Sequence, residues 1–288
     1  MRESIKDKLF SGTLTLILIL LAVIAVVPLF NVLAMSFSSK AAADMNIVNL
    51  FPVGFTLDSW KYIMTDQGIW KAFAISLGTT VLGTFLALMI TALMAYPLSK
   101  KQFKIGGILM MLVVGTMIFK APIVPYFLTV RGMGLYNNLL VLVLPHILSA
   151  YNLAIMRTFF KQFPAEVEEA AMIDGCGCFQ ILMRIVLPSS KAVLATVGLF
   201  YAVTMWNQFQ HPMMFIQDTN LFPLQMKIRQ LINGGSDLVN IAAVANVNYS
   251  EATLSAATVV FAIIPIIIIY PWLQKYFAKG AMLGSVKG

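Results

Sequence analysis

Charge is scarce in this sequence: Asp, Glu, Lys and Arg together make up 11% of its 288 residues, against about a quarter in an ordinary soluble domain. That composition excludes a water-soluble globular fold. Histidine is limited to His146 and His211, and cysteine to Cys176 and Cys178. A structural zinc site wants four ligands and a disulfide framework wants more thiols, so no metal site is expected and the cysteines read as small, reduced side chains. No G-x-x-x-x-G-K-[ST] phosphate loop occurs anywhere in the chain, which removes that means of holding a nucleotide. Nor does an Asp or Glu sit near the middle of any apolar run. Proton- and sodium-coupled carriers usually need such an ionisable midplane site, so secondary transport is disfavoured. No acidic cluster accompanies either histidine, which disfavours a membrane enzyme.

What the sequence holds in abundance is apolar length: 59% of residues are apolar and the mean hydropathy is +0.85. A bilayer core roughly 30 Å thick takes about 20 apolar residues of helix, because every backbone polar group has to find its partner inside the segment. Six stretches satisfy this, at 12–34, 71–97, 105–128, 136–156, 192–212 and 254–273. The expected fold is an all-α polytopic membrane protein with six transmembrane helices. Pro122, Pro125 and Pro145 interrupt the third and fourth stretches, which favours a packed, cavity-lining bundle over a simple anchor. The first run follows Arg2, Lys6 and Lys8 as a secretory signal would, but from Ser11 to Ala34 it is too long for one and is expected to remain as an anchor. Small residues within the spans, such as Gly78, Gly83, Ala87, Ala92 and Ala95, fit ordinary close packing of helices.

The net charge of +8 is better explained by the bilayer than by nucleic acid, since Lys and Arg collect where spans emerge into the cytoplasm. With the N-terminus inside, 13 of the 20 basic residues fall on the cytoplasmic side, among them Lys100, Lys101, Lys104, Arg157, Lys161, Arg184 and Lys191. Both termini are therefore predicted to be cytoplasmic. The chain divides into an N-terminal span with its external loop (1–70), a core transmembrane domain (71–273) and a cytoplasmic tail (274–288).

One segment between the fourth and fifth spans is patterned unlike a plain connector. Pro164 opens a predicted helix at no cost in hydrogen bonds, and Glu166, Glu168 and Glu169 complement the positive end of its dipole. Gly175 supplies a left-handed stop. A second short helix is predicted from about Phe179 to Val186, ending at Pro188. Ala170 and Ala171 give the first helix a small-residue surface with a charged rim, suited to filling a groove on another protein.

The spacing of this segment is specific. Glu169-Ala170-Ala171, three residues, Gly175, nine residues, then Ile185-Val186-Leu187-Pro188 resembles without a gap the E-A-A-x3-G-x9-I-x-L-P signature of permease subunits in binding-protein-dependent ABC importers. Asp174 before the glycine resembles the carbohydrate branch, although Cys176 stands where that branch usually carries another small residue. Trp206-Asn207-Gln208-Phe209 is similar to the W-N-x-F of maltose-type permeases. Gln274-Lys275-Tyr276-Phe277, Gly280 and the closing Gly284-Ser285-Val286-Lys287-Gly288 are similar to the tail of the same branch. The likeness covers roughly residues 10–288 and is nearest to the smaller of the two permeases in such systems, in members handling oligo- or polysaccharides.

The resemblance implies a type I ABC importer permease fold, a second homologous permease subunit, two ATPase subunits and an external solute-binding protein, in a bacterial cytoplasmic membrane. It implies no cofactor in this chain and no catalysis by it, with ATP and magnesium bound by the ATPases. Nucleic acid is not an expected partner. Glu169, Ala170, Ala171, Asp174, Gly175, Ile185, Leu187 and Pro188 are assigned by the resemblance to coupling with the ATPase. The tail from Gly280 is expected to reach between the ATPases, and the segment 213–250, with Leu221-Phe222-Pro223-Leu224 and Asn233-Gly234-Gly235-Ser236 as loop material and one helix at Gln225 to Ile232, to face the binding protein. Aromatic faces and amides suit a sugar, which makes Tyr126, Tyr151, Asn152, Trp206, Asn207 and Gln210 candidates for the substrate path. The alternatives are the same architecture moving a non-sugar solute, and a stand-alone secondary carrier.

Overall fold

The computed structural model describes residues 5–119, 121–233 and 248–285. Arg2, Lys120, Gly234-Gly235-Ser236 and Val286-Lys287-Gly288 of the sequence reading lie outside them. Among the described residues every regular element is helical. Helix α1 (Ile5–Ser36) leads to two short helices, α2 (Lys40–Asp44) and α3 (Asp58–Thr65), and to the long α4 (Gln67–Ser99). Helices α5 (Gly106–Ile118) and α6 (Ile123–Gly132) precede two 3-10 turns (Leu139–Leu142 and Leu144–His146), α7 (Ala150–Lys161) and α8 (Ala165–Ile173). Helix α9 (Cys178–Ile181) runs through a π-helical turn (Leu182–Val186) into α10 (Leu187–Ser189). Helices α11 (Lys191–Trp206), α12 (Gln210–Phe215), α13 (Leu224–Asn233) and α14 (Glu251–Ser285) follow.

Three segments, Phe10–Ser36, Gln67–Ser99 and Glu251–Ile269, are each long and apolar enough to cross a membrane, and three bent helix pairs bring the number to six. The first and second predicted spans, 12–34 and 71–97, fall inside the first two segments, and the sixth, 254–273, falls inside α14. The others differ from prediction in ways that proline and capping explain. Pro122 separates α5 from α6 and serves as the N-cap of α6, because the residue before a proline is pushed out of the helical region. The fourth span is not one helix over 136–156: its first half is the pair of 3-10 turns, and α7 starts only at Ala150 and continues to Lys161. The fifth ends at Trp206 rather than near residue 212.

Between α6 and α7 the chain leaves the helical ladder, and side-chain amides and hydroxyls take over its hydrogen bonding. Asn137, at φ 54, donates its own N–H to the Phe215 carbonyl at 2.7 Å, and its Oδ1 accepts from the N–H groups of Gln217 and Asp218 at 3.1 and 3.0 Å. Asn138 Oδ1 accepts the Leu140 N–H at 2.9 Å, and Gln208 Nε2 donates to the Leu142 carbonyl at 3.0 Å. The Asn138 and Gln208 contacts satisfy backbone groups within the break itself, where an unpaired group in an apolar setting would cost several kcal/mol.

Contacts divide the chain into two compact units, residues 70–226 with 265–288 and residues 1–69 with 227–264. The first unit is organised around Ala87, Ala92, Ala95, Leu153, Met156, Phe160, Ile181, Val186, Val197, Tyr201 and Met205. The alanines let α4 approach its neighbours, and a Cβ on Gly83 would fall 2.3 Å from Met205 Sδ, so these residues serve packing as expected, whereas Gly78 is exposed with open space around it. Phe160, 1% exposed, is the largest contributor from α7, and its truncation to alanine would cost about 3–5 kcal/mol. Leu224 is fully buried and its N–H donates to Ser76 Oγ at 2.8 Å. Phe222 and Leu224 are thus anchors of this unit, not loop material, while the helix expected at Gln225 to Ile232 is present as α13.

The second unit is built on the segment after α1. Ala34, Ala42 and Val48 form a small core, Asn31 Nδ2 donates to the Asn49 carbonyl at 2.8 Å, and the Phe37 ring stacks between Phe55 and Trp60 at centroid distances of 5.7 and 5.5 Å. Ser59 Oγ donates to Thr253 Oγ1 at 3.0 Å. Burial, with the Asp66 carboxylate close by, raises the ionisation of Tyr62 above the ordinary phenol range, and burial raises Tyr249 as well. Gly54 adopts φ +63, and a Cβ there would lie 2.6 Å from Ser39 Oγ, the atom that accepts the Ala42 N–H and caps α2. Gly54→Ala is expected to destabilise this unit by about 1–3 kcal/mol, combining left-handed strain with a displaced cap. A lowered unfolding midpoint of the detergent-solubilised protein checks it, and an unchanged midpoint would contradict it.

Candidate coupling surface and cavity

Helix α8 starts after Pro164, whose missing N–H costs nothing there, and carries Glu166 and Glu168 in its first turn. Its end is built by the expected left-handed glycine. Gly175 sits at φ +82, its N–H donates to the Met172 carbonyl at 3.0 Å, and the Cys176 N–H donates to the Ala171 carbonyl at 2.9 Å. This pair of bonds is a Schellman closure. A Cβ on Gly175 would have open space around it, so the demand for glycine is torsional rather than steric.

The two faces of α8 are unlike each other. Glu168 and Ala171, three residues apart, are buried. Both carboxylate oxygens of Glu168 pair with the Lys100 ammonium, which also lies 4.5 Å from the centroid of the Tyr96 ring. Val167, Glu169, Ala170, Met172, Ile173 and Asp174 are exposed, and Ile173 is 86% exposed. Phe179 on α9 is exposed as well. The expectation that Ala170 and Ala171 share an outward surface is corrected: Ala171 packs into the core, while Ala170 and Glu169 point outward. The sequence reading missed Ile173, Phe179 and the burial of Glu168. Its i, i+3 relation to Ala171 puts Glu168 on the buried face, which residue type alone does not distinguish from Glu166 and Glu169.

The second helix ends at Ser189, one residue past the expected Pro188. The chain then turns 86° at Ser190 into α11. The preceding π-helical turn accommodates the proline: the Leu187 N–H donates five residues back, to the Leu182 carbonyl, so the ladder is already shifted where proline would remove a bond and clash. Ile185 and Leu187 are half-buried against the core and Pro188 is exposed.

The candidate substrate-path residues fall into separate places. Tyr151 and Asn152 line a cavity of about 690 Å³ together with Pro145, His146, Ser149, Phe200 and Thr204. Tyr151, 55% exposed, lies 6.1 Å from the Phe200 ring. The cavity wall is held by a chain of bonds: the Ser149 N–H donates to Tyr201 Oη at 3.0 Å, and that oxygen is 2.7 Å from Thr91 Oγ1. Tyr126 stands elsewhere, its hydroxyl 2.7 Å from His211 Nε2. His211 in turn lies 4.4 Å, ring to ring, from His146, so the two histidines pack on each other. Trp206 is buried, edge-on to Phe73 at 5.9 Å. Asn207 turns its amide back on the Val203 carbonyl at 2.9 Å, and Gln210 is exposed at the start of α12. Phe200 and Thr204 were not singled out from sequence, because within an apolar helix nothing distinguishes them from lipid-facing residues.

No protein-family model matches the chain. It is 38% identical over 285 residues to the polygalacturonan/rhamnogalacturonan transport system permease protein YtcP of Bacillus subtilis (strain 168), across 98% of this chain and 100% of that one. It is 40% identical to LplC of the same organism over 266 residues, 92% of this chain and 90% of the relative. The chain belongs to the permease subunits of carbohydrate ABC import systems. A solved structure of a bacterial ABC transporter involved in import of the acidic polysaccharide alginate matches this permease with a TM-score of 0.89 and 31% identity, covering 96% of it and 99% of the alginate chain. The permease is a multi-pass membrane protein, and subunits of this kind are not themselves enzymes.

Gly175→Val is expected to strain the turn after α8 by about 1–2 kcal/mol, because a branched side chain takes up the left-handed region poorly. Faster amide hydrogen exchange at Gly175→Val position 175 and at Cys176, with near-normal exchange in Gly175→Asn, checks this. Equal protection in both variants would contradict it.

Proposed function

We propose that this permease supplies half of the translocation path of an importer for an oligosaccharide or polysaccharide fragment rich in acidic sugar, and that α8 is where a separate ATPase drives it. The observation that carries the reading is the exposed face of α8: an E-A-A-x3-G spacing on a helix that presents Glu169, Ala170 and a bare Ile173, with Phe179 exposed on α9. An apolar patch with an acidic rim needs a partner to cover it. A second homologous permease completes the path, two ATPases holding ATP and magnesium dock on the cytoplasmic side, and an external binding protein delivers the sugar. The membrane is the bacterial cytoplasmic one, with both termini inside, as the distribution of Lys and Arg supports. Closure of the ATPases then moves α8 as a rigid element and alternates access to the path.

The cargo class is supported by the names of the relatives, which include transporters of polygalacturonan and of alginate, and by the Tyr151–Phe200 cavity, where aromatic faces can stack on a sugar ring. No Lys or Arg lines that cavity, so it fits the apolar face of a sugar better than its carboxylate.

Co-purification and uptake test this reading. The unaltered chain is expected to retain its ATPase, and Glu169→Lys to lose it with normal membrane insertion. Vesicles carrying the complete importer should accumulate oligogalacturonate only with ATP, and Tyr151→Ala is expected to slow that uptake about ten-fold, the loss of one aromatic contact of roughly 1–2 kcal/mol. Accumulation by vesicles holding this chain alone would make it a secondary carrier. Uptake of a non-sugar solute in place of oligogalacturonate would keep the architecture and overturn the cargo.

A further inference from the structure

We propose that the Glu168–Lys100 ion pair is the joint that passes displacement of α8 to α4, which makes both of them positioning residues of the transport cycle; the inference rests on the reading that an ATPase docks on α8. Of the nine residues of α8, only Glu168 and Ala171 are buried. Apart from the backbone links at its two ends, where Phe163 and Cys176 also pack on the core, force applied to its exposed face leaves the helix through those two side chains. Ala171 contributes van der Waals contact within the core, which is weak atom by atom and lets surfaces slide. The ion pair is directional. Glu168 is 5% exposed, both of its oxygens face the ammonium, and Lys100 is further fixed over the Tyr96 ring at 4.5 Å.

The other end of the pair is a helix terminus. Lys100 is the first residue beyond α4, where the negative end of the dipole and the free carbonyls gather cations. Arg157 on α7 donates from Nε to the Leu98 carbonyl at 2.8 Å, so α7 and α8 grip the end of α4 within three residues of each other. Stability alone does not call for a charge pair at such a place, since apolar side chains of similar shape hold a buried site equally well. What the pair adds is resistance to separation in either direction, because parting it strands a carboxylate in a setting of low dielectric. Helix α4 spans 33 residues, long enough to carry a movement of its end across the bilayer.

The complete importer in vesicles provides the test, with Cys176→Ser and Cys178→Ser removing the native thiols. Leu148→Cys in the cavity wall then reports access by its rate of labelling with a water-soluble maleimide. With Glu168 and Lys100 intact, ATP plus vanadate is expected to change that rate. Glu168→Gln is expected to shrink the change about ten-fold, while the ATPase still co-purifies and hydrolyses ATP. Lys100→Met, which leaves α8 untouched, carries the same expectation. Lys100→Arg should keep the response, and the exchanged pair Lys100→Glu with Glu168→Lys should regain most of it. A full-sized response in Glu168→Gln or in Lys100→Met overturns the joint, as does a loss that the exchanged pair fails to regain. Failure of the unaltered chain to retain an ATPase would instead overturn the docking reading on which the joint rests.

Discussion

A hydrocarbon interior offers the peptide backbone no water, and most features of this permease follow from meeting that condition. It explains why apolar length is organised as helix, and it sets the terms on which helix can be broken. Around Pro145 the ladder is interrupted, and Asn138, Ser149 and Gln208 take over hydrogen bonding that α-helix would have provided. The interruption also shapes the cavity. Because α7 begins only at Ala150, the ring of Tyr151 emerges at a helix start, next to Phe200 and above the Ser149–Tyr201–Thr91 chain. A continuous helix over the same residues would have buried that corner.

Sequence and structure agree where one force dominates. The long apolar runs that became α1, α4 and α14 were readable because hydrophobic length in a bilayer has one outcome. The turn at Gly175 was readable because few residues other than glycine accept a left-handed conformation cheaply, and its spacing from Glu169 and Pro188 carried the family. Where two forces compete, the pattern was silent. Pro188 signals a helix end, which comes one residue later, but no residue type announces the π-helical turn before it. Glu166, Glu168 and Glu169 look alike in sequence, but only Glu168 meets a cation, because its place on the helix puts it beside Ala171 and under the end of α4. The candidate sugar contacts divided for the same reason: Trp206 and Asn207 are spent on packing and on a helix carbonyl, while Tyr151 and Asn152 are left facing a cavity.

Helix α8 is thus tethered more than it is embedded, holding on by one ion pair and one alanine while leaving an apolar and acidic surface bare. A transmission element benefits from such economy, since every additional contact would have to break or slide when the helix is displaced.

The π-helical turn has a geometric consequence of its own. It places one residue more in the turn than an α-helix needs, and one residue corresponds to about 100° of rotation about the helix axis. The compass bearing of Phe179 relative to α11 is therefore fixed by the residue count through 182–186. Shortening this stretch by a single residue would swing α9, with Phe179 and the buried Ile181, roughly a quarter-turn around the axis relative to α11.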